Sequence, residues 1–227
     1  MRWSSTRPTC PWTPWSIESC PWSPRGRADV YCVFYWLVRA FFQAVFRVEI
    51  RGLEHLPRGP AIVACNHISG FDPPLLGSLL PRPAWYMTKA ELFRIWGLRW
   101  LIRKLHAFPV RRGHPDRAAL LYSLRILNEG GVLIIFPEGH RSPDGGLQDP
   151  RRGTAFLAQK SGAPVVPVGL VGPYGFRRRV TFRMGPAFYI DPGMSVDEGA
   201  RRIMAAVAEQ IASIREERGL AASGGKV

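Results

Sequence analysis

Three fully apolar runs of strand length alternate with segments of helical type, and they constrain the fold more than any other feature of the chain. Residues 60–65 read Pro-Ala-Ile-Val-Ala-Cys, residues 132–136 read Val-Leu-Ile-Ile-Phe, and a third run covers 163–171. Such short and uniformly apolar runs are typical of strands that are buried on both faces. Helices are predicted between them at 73–80, 91–105, 115–128 and 152–160. The alternation predicts an α/β fold, a single domain with a mixed, mostly buried sheet flanked by helices.

Other elements complete this domain, which we place at residues 48–219. Strands are predicted at 48–52, 84–88 and 106–110, and edge strands at 180–184 and 187–190. Gly97 is expected to break the 91–105 helix in two. The last helix begins with the capping box that runs from Ser195 to Glu198, and Gly219 stands where a C′ residue would. Residues 220–227 are expected to be frayed.

The first 47 residues differ from this domain. Residues 1–29 are rich in Trp, Pro, Ser and Cys, and Pro at that density prevents regular structure. They are either a disordered appendage or the product of a start site placed too far upstream, with Val30 or Val33 as the initiator. Residues 30–47 are predicted to form an interfacial membrane helix with inserted aromatic side chains and Arg39 directed toward head groups. The alternative is that this helix simply covers the domain's own sheet.

The charge of the chain indicates an anionic partner. With 31 Lys and Arg against 17 Asp and Glu, the formal net charge is +14. Trp and Leu interleaved with Arg and Lys over 91–105 suit an anionic membrane surface, because apolar insertion and charge attraction act together there. No recognisable signature of an RNA- or DNA-binding protein is present, so no nucleic-acid partner is predicted. The four cysteines show no metal-ligand spacing, and a reducing compartment fits them.

A polar segment follows the first apolar run and contains the first candidate site. Asn66-His67-Ile68-Ser69-Gly70-Phe71-Asp72 stands between the strand and Pro73-Pro74. At such a corner Asp72 can face His67 and accept its Nδ1 proton, which leaves Nε2 free to take a proton from a substrate hydroxyl. The alternative is that both residues only cap the following helix, since Asp is a favoured N-cap residue.

The second apolar run also ends in a polar segment, Pro137-Glu138-Gly139-His140-Arg141-Ser142. Open α/β sheets bind ligands beyond the carboxyl ends of their strands, so the two segments are expected to form one pocket. A metallohydrolase would need a third ligand beside His67 and Asp72. The sequence offers only His140 for that role, so no metal is predicted.

Together these segments resemble the glycerolipid acyltransferase family, specifically the bacterial 1-acyl-sn-glycerol-3-phosphate acyltransferases. Residues 66–72 match its N-H-x-S-x-x-D block in full, and residues 136–142 resemble F-P-E-G-T-R-S with His140 in the Thr position. Residues 108–113 and 166–168 resemble two further blocks. The resemblance covers about residues 30–215. It implies a glycerol-3-phosphate acyltransferase-like fold and a monotopic or peripheral enzyme on the cytoplasmic face of the cell membrane.

The resemblance also implies a reaction and a set of roles. An acyl group passes from acyl-CoA or acyl carrier protein to the sn-2 hydroxyl of lysophosphatidic acid, giving phosphatidic acid, and no cofactor is needed. His67 is then the general base, Asp72 orients it, and Lys89 is a candidate for stabilising the thioester oxyanion. The residues expected to bind or position substrate are Asn66, Ser69, Arg112, Glu138, Gly139, Arg141 and Pro167.

Two other functions stay open on the sequence alone. The acceptor can be glycerol-3-phosphate, another lysophospholipid or a hydroxylated lipid, because the blocks specify phosphate-bearing glycerolipids only loosely. A protein of a different class, a non-catalytic lipid-surface binder, would keep the fold. It would be expected to carry damage in the His/Asp pair or in the Glu-Gly-x-Arg block, and both are intact.

Overall fold

The computed structural model describes residues 30–110, 116–142 and 146–220. They form seven strands and six α-helices, with 3₁₀ turns at Leu53–His55 and Ala90–Arg94. The strands are β1 (Arg47–Arg51), β2 (Ala61–Cys65), β3 (Ala84–Lys89), β4 (Ala107–Val110), β5 (Val132–Ile135), β6 (Val165–Val171) and β7 (Arg179–Met184). The helices are α1 (Val30–Val45), α2 (Asp72–Leu79), α3 (Leu98–Lys104), α4 (Arg117–Asn128), α5 (Gly153–Ser161) and α6 (Val196–Glu217).

All seven strands join one sheet in the order β1-β7-β6-β2-β5-β3-β4. Every neighbouring pair is parallel except β6 and β7, so the predicted α/β fold with a mixed sheet is confirmed. The strands that the sequence marks by uniform apolarity, β2, β5 and β6, lie together at the centre, with β2 between the other two. Their residues are buried on both faces, apart from the last residue of β6. This central position explains why their sequences do not alternate.

The strand predicted at 180–184 is present as β7, but its predicted place at the sheet edge is wrong, and the strand predicted at 187–190 is wrong altogether. β7 lies inside the sheet, because β1 pairs along its outer side from Arg47 to Arg51. Residues 187–190 form no strand and contribute a single bridge between Phe188 and Val165. Pro186 precedes that segment and lacks the N–H that a ladder would need.

Helices cover both faces of the sheet. Buried side chains of α1, α2 and α3 join a cluster on one face, while those of α4, α5 and α6 join a second cluster on the other. α6 lies very close to β6: a Cβ on Gly169 would stand 2.6 Å from the backbone at Gln210 and Ile211. Only glycine permits that approach, which brings the longest helix directly onto the centre of the sheet.

Both predicted helix boundaries of α6 and the predicted break at Gly97 are confirmed. Gly97 has a φ of +80° and separates the 3₁₀ turn Ala90–Arg94 from α3. Ser195 Oγ accepts the backbone N–H of Glu198 at the start of α6. At its end Gly219 has a φ of +61°, and the N–H of Leu220 donates to the carbonyl of Arg215. These bonds satisfy backbone groups that a helix end otherwise leaves unpaired.

α1 has two apolar sides. Phe42 is buried in the cluster that α1 shares with α2, together with Phe46 just after the helix, so one side of the helix covers the domain. Leu37 and Phe41 on the other side each keep 59% of their surface exposed. Interfacial insertion of α1 therefore stays a prediction, with a solvent-facing apolar side that suits it. Within the described ranges, no helix has both the length and the apolar character to cross a membrane.

Candidate active site

The polar segments that follow β2 and β5 meet at one end of the sheet. β2 and β5 are parallel neighbours, with Ala64 paired to Ile135, so their carboxyl ends open at the same place. The backbone N–H of Ser142 donates to the carbonyl of His67 at 2.8 Å. The N–H of His67 in turn donates to Oε1 of Glu138 at 3.1 Å. The two polar segments are thus joined by hydrogen bonds, and the pocket predicted between them stays a prediction.

His67 and Asp72 form a buried pair. The Nδ1–H of His67 donates to Oδ2 of Asp72 over 2.7 Å. The His67 ring also stacks on Phe136, with 4.2 Å between ring centroids and 27° between planes. With Nδ1 committed to the carboxylate, Nε2 is the proton acceptor of the neutral ring. Nε2 makes no hydrogen bond within the described part of the chain, so it is available to a substrate hydroxyl.

Asp72 is held by more donors than the dyad needs. Its Oδ2 also accepts the backbone N–H groups of Ile68 and Ser69, each at 2.7 Å. Its Oδ1 accepts the hydroxyl of Tyr174 at 2.6 Å. Asp72 is the first residue of α2, where the helix dipole also favours a negative charge. The alternative of a plain N-cap is therefore not what the structure shows, because the residue before Asp72 occupies the N-cap position.

Glu138 is a buried carboxyl group that accepts a hydrogen bond from the backbone of His67. The side chain is fully buried, and burial raises the pKa of this carboxyl, against the opposing effect of the backbone amides of His67 and Gln148. A charged His140, which is exposed on the loop surface, acts in the same direction as those amides. Glu138 thus fixes the backbone of His67. Contact of Glu138 with substrate stays a prediction.

Asn66 joins β2 to β6 at the edge of the site. Its Nδ2 donates to the carbonyl of Leu170 at 3.0 Å, and its Oδ1 accepts the N–H of Leu170 at 2.7 Å. The side chain is buried, so these bonds stabilise the exit of β6 beside the dyad. Substrate binding by Asn66 stays a prediction, while the strand-to-strand link is what the structure shows.

The other predicted site residues differ in how close they lie to the dyad. Ser69 contacts Asp72 through its backbone, and its Oγ accepts the N–H of Phe71 at 3.3 Å. Gly139, with a φ of +75°, lies under Arg151, whose side chain would stand 3.1 Å from a Cβ there. The exposed guanidinium of Arg141 lies over Gly70. These positions place the side chains of Arg141 and Arg151 over glycines of the two polar segments.

Three predicted residues are not joined to the dyad by the structure. Lys89 is exposed at the end of β3, and no hydrogen bond or ion pair between it and His67 or Asp72 is found among the described residues. Pro167 is buried inside β6, where it pairs with Ala64 of β2. Arg112 lies in 111–115, outside the described residues. Their assigned roles stay predictions.

Tyr174 is the site residue that sequence reasoning missed. It stands in the turn after β6 in Gly172-Pro173-Tyr174-Gly175, a pattern typical of a surface turn. Nothing in that local pattern indicates a contact with a carboxylate 102 positions earlier. Its place after the third apolar strand could have indicated Tyr174, because that strand also ends beside β2 and ligand sites lie beyond the carboxyl ends of such strands. In the described ranges, no group of three or more His, Cys, Asp or Glu is arranged to hold a metal ion.

Comparison with known proteins finds similar acyltransferases. The chain is 36% identical over 129 residues to a 1-acyl-sn-glycerol-3-phosphate acyltransferase of Bacillus subtilis, an alignment that covers 56% of this chain and 63% of the relative. It is 34% identical over 138 residues to a lyso-ornithine lipid O-acyltransferase of Pseudomonas aeruginosa, covering 60% of this chain and 52% of the relative. The matched part therefore spans less than two thirds of either relative's length.

A solved structure agrees over more of the chain. The crystal structure of the 1-acyl-sn-glycerophosphate acyltransferase PlsC from Thermotoga maritima superposes with a TM-score of 0.69 at 27% identity, over 88% of this chain and 84% of that one. The family model described as Acyltransferase matches residues 47–171, which is more than half of the chain and includes both polar segments. The chain belongs to the Acyltransferase family.

Proposed function

We propose that this protein transfers a fatty acyl group from an acyl thioester to the sn-2 hydroxyl of 1-acyl-sn-glycerol-3-phosphate, giving phosphatidic acid, a step of phospholipid biosynthesis. The observation that carries the proposal is the buried pair of His67 and Asp72, with 2.7 Å between Nδ1 and Oδ2. The pair leaves one ring nitrogen free to accept a proton from an alcohol. It lies inside a domain whose relatives bear the names of lipid acyltransferases.

The reaction follows from this geometry without a covalent enzyme intermediate. Nε2 of His67 takes the proton of the acceptor hydroxyl as its oxygen attacks the thioester carbonyl. Asp72 keeps the ring in the required tautomer and stabilises the imidazolium that forms, as the carboxylate does in a Ser-His-Asp triad. When the tetrahedral intermediate collapses, the imidazolium returns the proton to the departing thiolate. Lys89 is proposed to stabilise the oxyanion, and the donor is acyl-CoA or acyl carrier protein, with no further cofactor.

Two exposed arginines that lie over the polar segments support a phosphate-bearing acceptor. Arg141 lies over Gly70 in the segment that carries His67, and Arg151 covers Gly139 in the second segment. Both guanidinium groups stand outside the buried dyad, as a head group at the entrance would require. Arg112 is proposed as a third contact from the resemblance to the family's second block.

The identity of the acceptor lipid has a specific alternative, a lyso-ornithine lipid. One relative acts on a lyso-ornithine lipid according to its name, and its identity to this chain is close to that of the lysophosphatidic acid acyltransferase. We expect the purified protein in detergent to release thiol from acyl-CoA on addition of lysophosphatidic acid. Glycerol-3-phosphate and a lyso-ornithine lipid serve as the comparison acceptors. Turnover with the lyso-ornithine lipid alone would refute the acceptor assignment and leave the dyad in place.

Arg141→Ala tests the phosphate contact. A charge-assisted bond contributes about 1.5–3 kcal/mol, so we expect KM for lysophosphatidic acid to rise by roughly 10- to 100-fold with a smaller change in kcat. Arg141→Lys keeps the charge but not the planar guanidinium, so its KM should lie between those of the wild type and Arg141→Ala. Arg117→Ala, which removes an exposed arginine at the start of α4, is the matched control for lost surface charge. Equal KM values in Arg141→Ala and this control would refute the contact.

We further propose that the side of the domain formed by α1, α3 and the turn before α3 docks on an anionic membrane surface. Trp96 is 94% exposed and Trp100 is 52% exposed, and the basic residues of this region are Arg94, Arg99, Arg103 and Lys104. Exposed Leu37 and Phe41 of α1 belong to the same face of the sheet. Cys65, a buried free thiol, suits a reducing compartment, so we assign docking to the cytoplasmic leaflet.

Vesicle binding tests this surface. We expect Trp96→Ala combined with Trp100→Ala to weaken binding to phosphatidylglycerol vesicles by about tenfold or more, since burial of a large apolar side chain contributes about 1.5–3 kcal/mol. The matched control is Leu121→Ala combined with Tyr122→Ala, which removes two exposed apolar side chains from α4 on the opposite face. A sedimentation assay that shows the same loss in both double variants would contradict the assignment.

A further inference from the structure

Tyr174 places a hydroxyl on the carboxylate of the proposed dyad. The hydroxyl donates to Oδ1 of Asp72 at 2.6 Å, while His67 donates to Oδ2 of the same carboxylate at 2.7 Å. Asp72 is fully buried, so the contact is shielded from bulk solvent. The two side chains thus compete for the negative charge of one carboxylate.

Several contacts hold Tyr174 in this position. Its ring packs edge-on against Phe46, which follows α1, with 5.2 Å between centroids. The turn that carries it is fixed from the other side by Arg218, which donates to the carbonyl of Gly172 at 3.0 Å. Asn66 fixes the end of β6 just before that turn. The contact with Asp72 is therefore built by three different parts of the fold and not by one flexible side chain.

The hydroxyl keeps its proton. Burial, together with the adjacent negative charge of Asp72, raises the pKa of Tyr174 well above its usual value. Tyr174 is therefore a hydrogen-bond donor to Asp72 across the pH range in which a histidine base acts.

We propose that Tyr174 is a positioning residue that sets the pH dependence of acyl transfer by reducing the charge that Asp72 presents to His67. A carboxylate whose other oxygen accepts a hydrogen bond stabilises a neighbouring imidazolium less, because part of its negative charge is drawn toward that donor. The neutral form of His67, which is the form that accepts a proton, is then favoured at lower pH. The inference rests on the proposed role of His67 as the base and does not depend on which lipid is the acceptor.

Among the described residues, no other charged or titratable group around the pair is hydrogen-bonded to this hydroxyl, although the buried Cys65 lies close enough to act on it electrostatically. Glu138 bonds to the backbone of His67, and the Cys65 thiol is buried beside Asp72 and Glu138. His140 and Arg141 lie on the exposed loop. Removal of the Tyr174 hydroxyl leaves all four side chains in place, so a change in pH dependence reports on the contact between Tyr174 and Asp72.

The test compares Tyr174→Phe with Tyr35→Phe. Tyr35 also donates a partly buried hydroxyl at 2.6 Å, but to the carbonyl of Leu80. We expect the acid-side midpoint of the kcat/KM profile to move to higher pH by roughly 0.5–1 unit in Tyr174→Phe, with little change in the plateau. Tyr35→Phe should keep the wild-type midpoint. All variants use one acceptor, so titration of its phosphate is common to them.

A second substitution should shift the acid-side midpoint of the kcat/KM profile in the opposite direction. 3-Fluorotyrosine at position 174 preserves packing and is a stronger donor, so the midpoint should move to lower pH. An unchanged midpoint in Tyr174→Phe, or a uniform loss of activity at every pH, would overturn the proposal. If the wild-type protein acylates none of the acceptors, the proposed function fails, and NMR tests the contact independently. The Nδ1–H resonance of His67, assigned by its loss in His67→Ala, should then move downfield in Tyr174→Phe, and an unmoved resonance overturns the inference.

Discussion

His67→Ala is expected to lower kcat/KM for acylation of lysophosphatidic acid by about 10²- to 10⁴-fold, the range that a positioned general base contributes. The loss should fall on kcat more than on KM, because the side chain is proposed to act on the proton in transit and not to bind the head group. Thiol release from acyl-CoA, followed at saturating donor, measures both constants.

The fold should survive this change, so lost activity can be assigned to the missing base. Without the imidazole, Asp72 still accepts the N–H groups of Ile68 and Ser69 and the hydroxyl of Tyr174. His55→Ala is the matched control, because His55 bonds through its ring to the carbonyl of Met184 and has no part in the site. We expect unfolding midpoints of both variants close to wild type. Activity of His67→Ala within about tenfold of the control would refute the base.

The sequence predicts the centre of this fold well because burial there is two-sided. β2, β5 and β6 are apolar at nearly every position, and their short length and β-branched residues favour buried strands over helices. The outer part of the sheet is harder to predict, since β1 at Arg47–Arg51 pairs with β7 at Arg179–Met184, a partner distant in the sequence. The sequence of β7 does not show that another strand lies outside it, so the edge prediction was wrong.

The candidate site divides in the same way. His67 and Asp72 were predicted to face each other because they lie five positions apart at one corner, and local geometry decides such a contact. Tyr174 was missed because its contact with Asp72 depends on where β6 ends relative to β2, a tertiary relation. Asn66 was predicted to be a site residue from the local sequence, but its hydrogen bond to Leu170 is again a tertiary contact that the sequence did not indicate.

Asp72→Asn is expected to retain more activity than Asp72→Ala, in contrast to the Ser-His-Asp triad. In that triad the Asp→Asn change costs about 10⁴-fold because the amide forces the wrong histidine tautomer. Here the oxygen in the Oδ2 position receives the backbone N–H groups of Ile68 and Ser69, which can only donate. The side-chain amide introduced by Asp72→Asn must therefore keep its oxygen there, and its NH₂ turns toward Tyr174, whose hydroxyl can accept.

Asp72→Asn thus removes the negative charge at position 72 and keeps His67 in the tautomer with its proton on Nδ1. The difference between a charge-assisted and a neutral hydrogen bond is about 1–2 kcal/mol, so we expect kcat/KM to fall by roughly 5- to 30-fold. Asp72→Ala also leaves the N–H groups of Ile68 and Ser69 without their acceptor, so it should lose at least about 10²-fold in kcat/KM and about 2–4 kcal/mol in the free energy of unfolding. Side-by-side kinetics and denaturant unfolding of the two variants measure this order. If Asp72→Asn is as inactive as Asp72→Ala while remaining fully folded, the backbone amides do not fix the orientation of the side chain, and the tautomer argument is wrong.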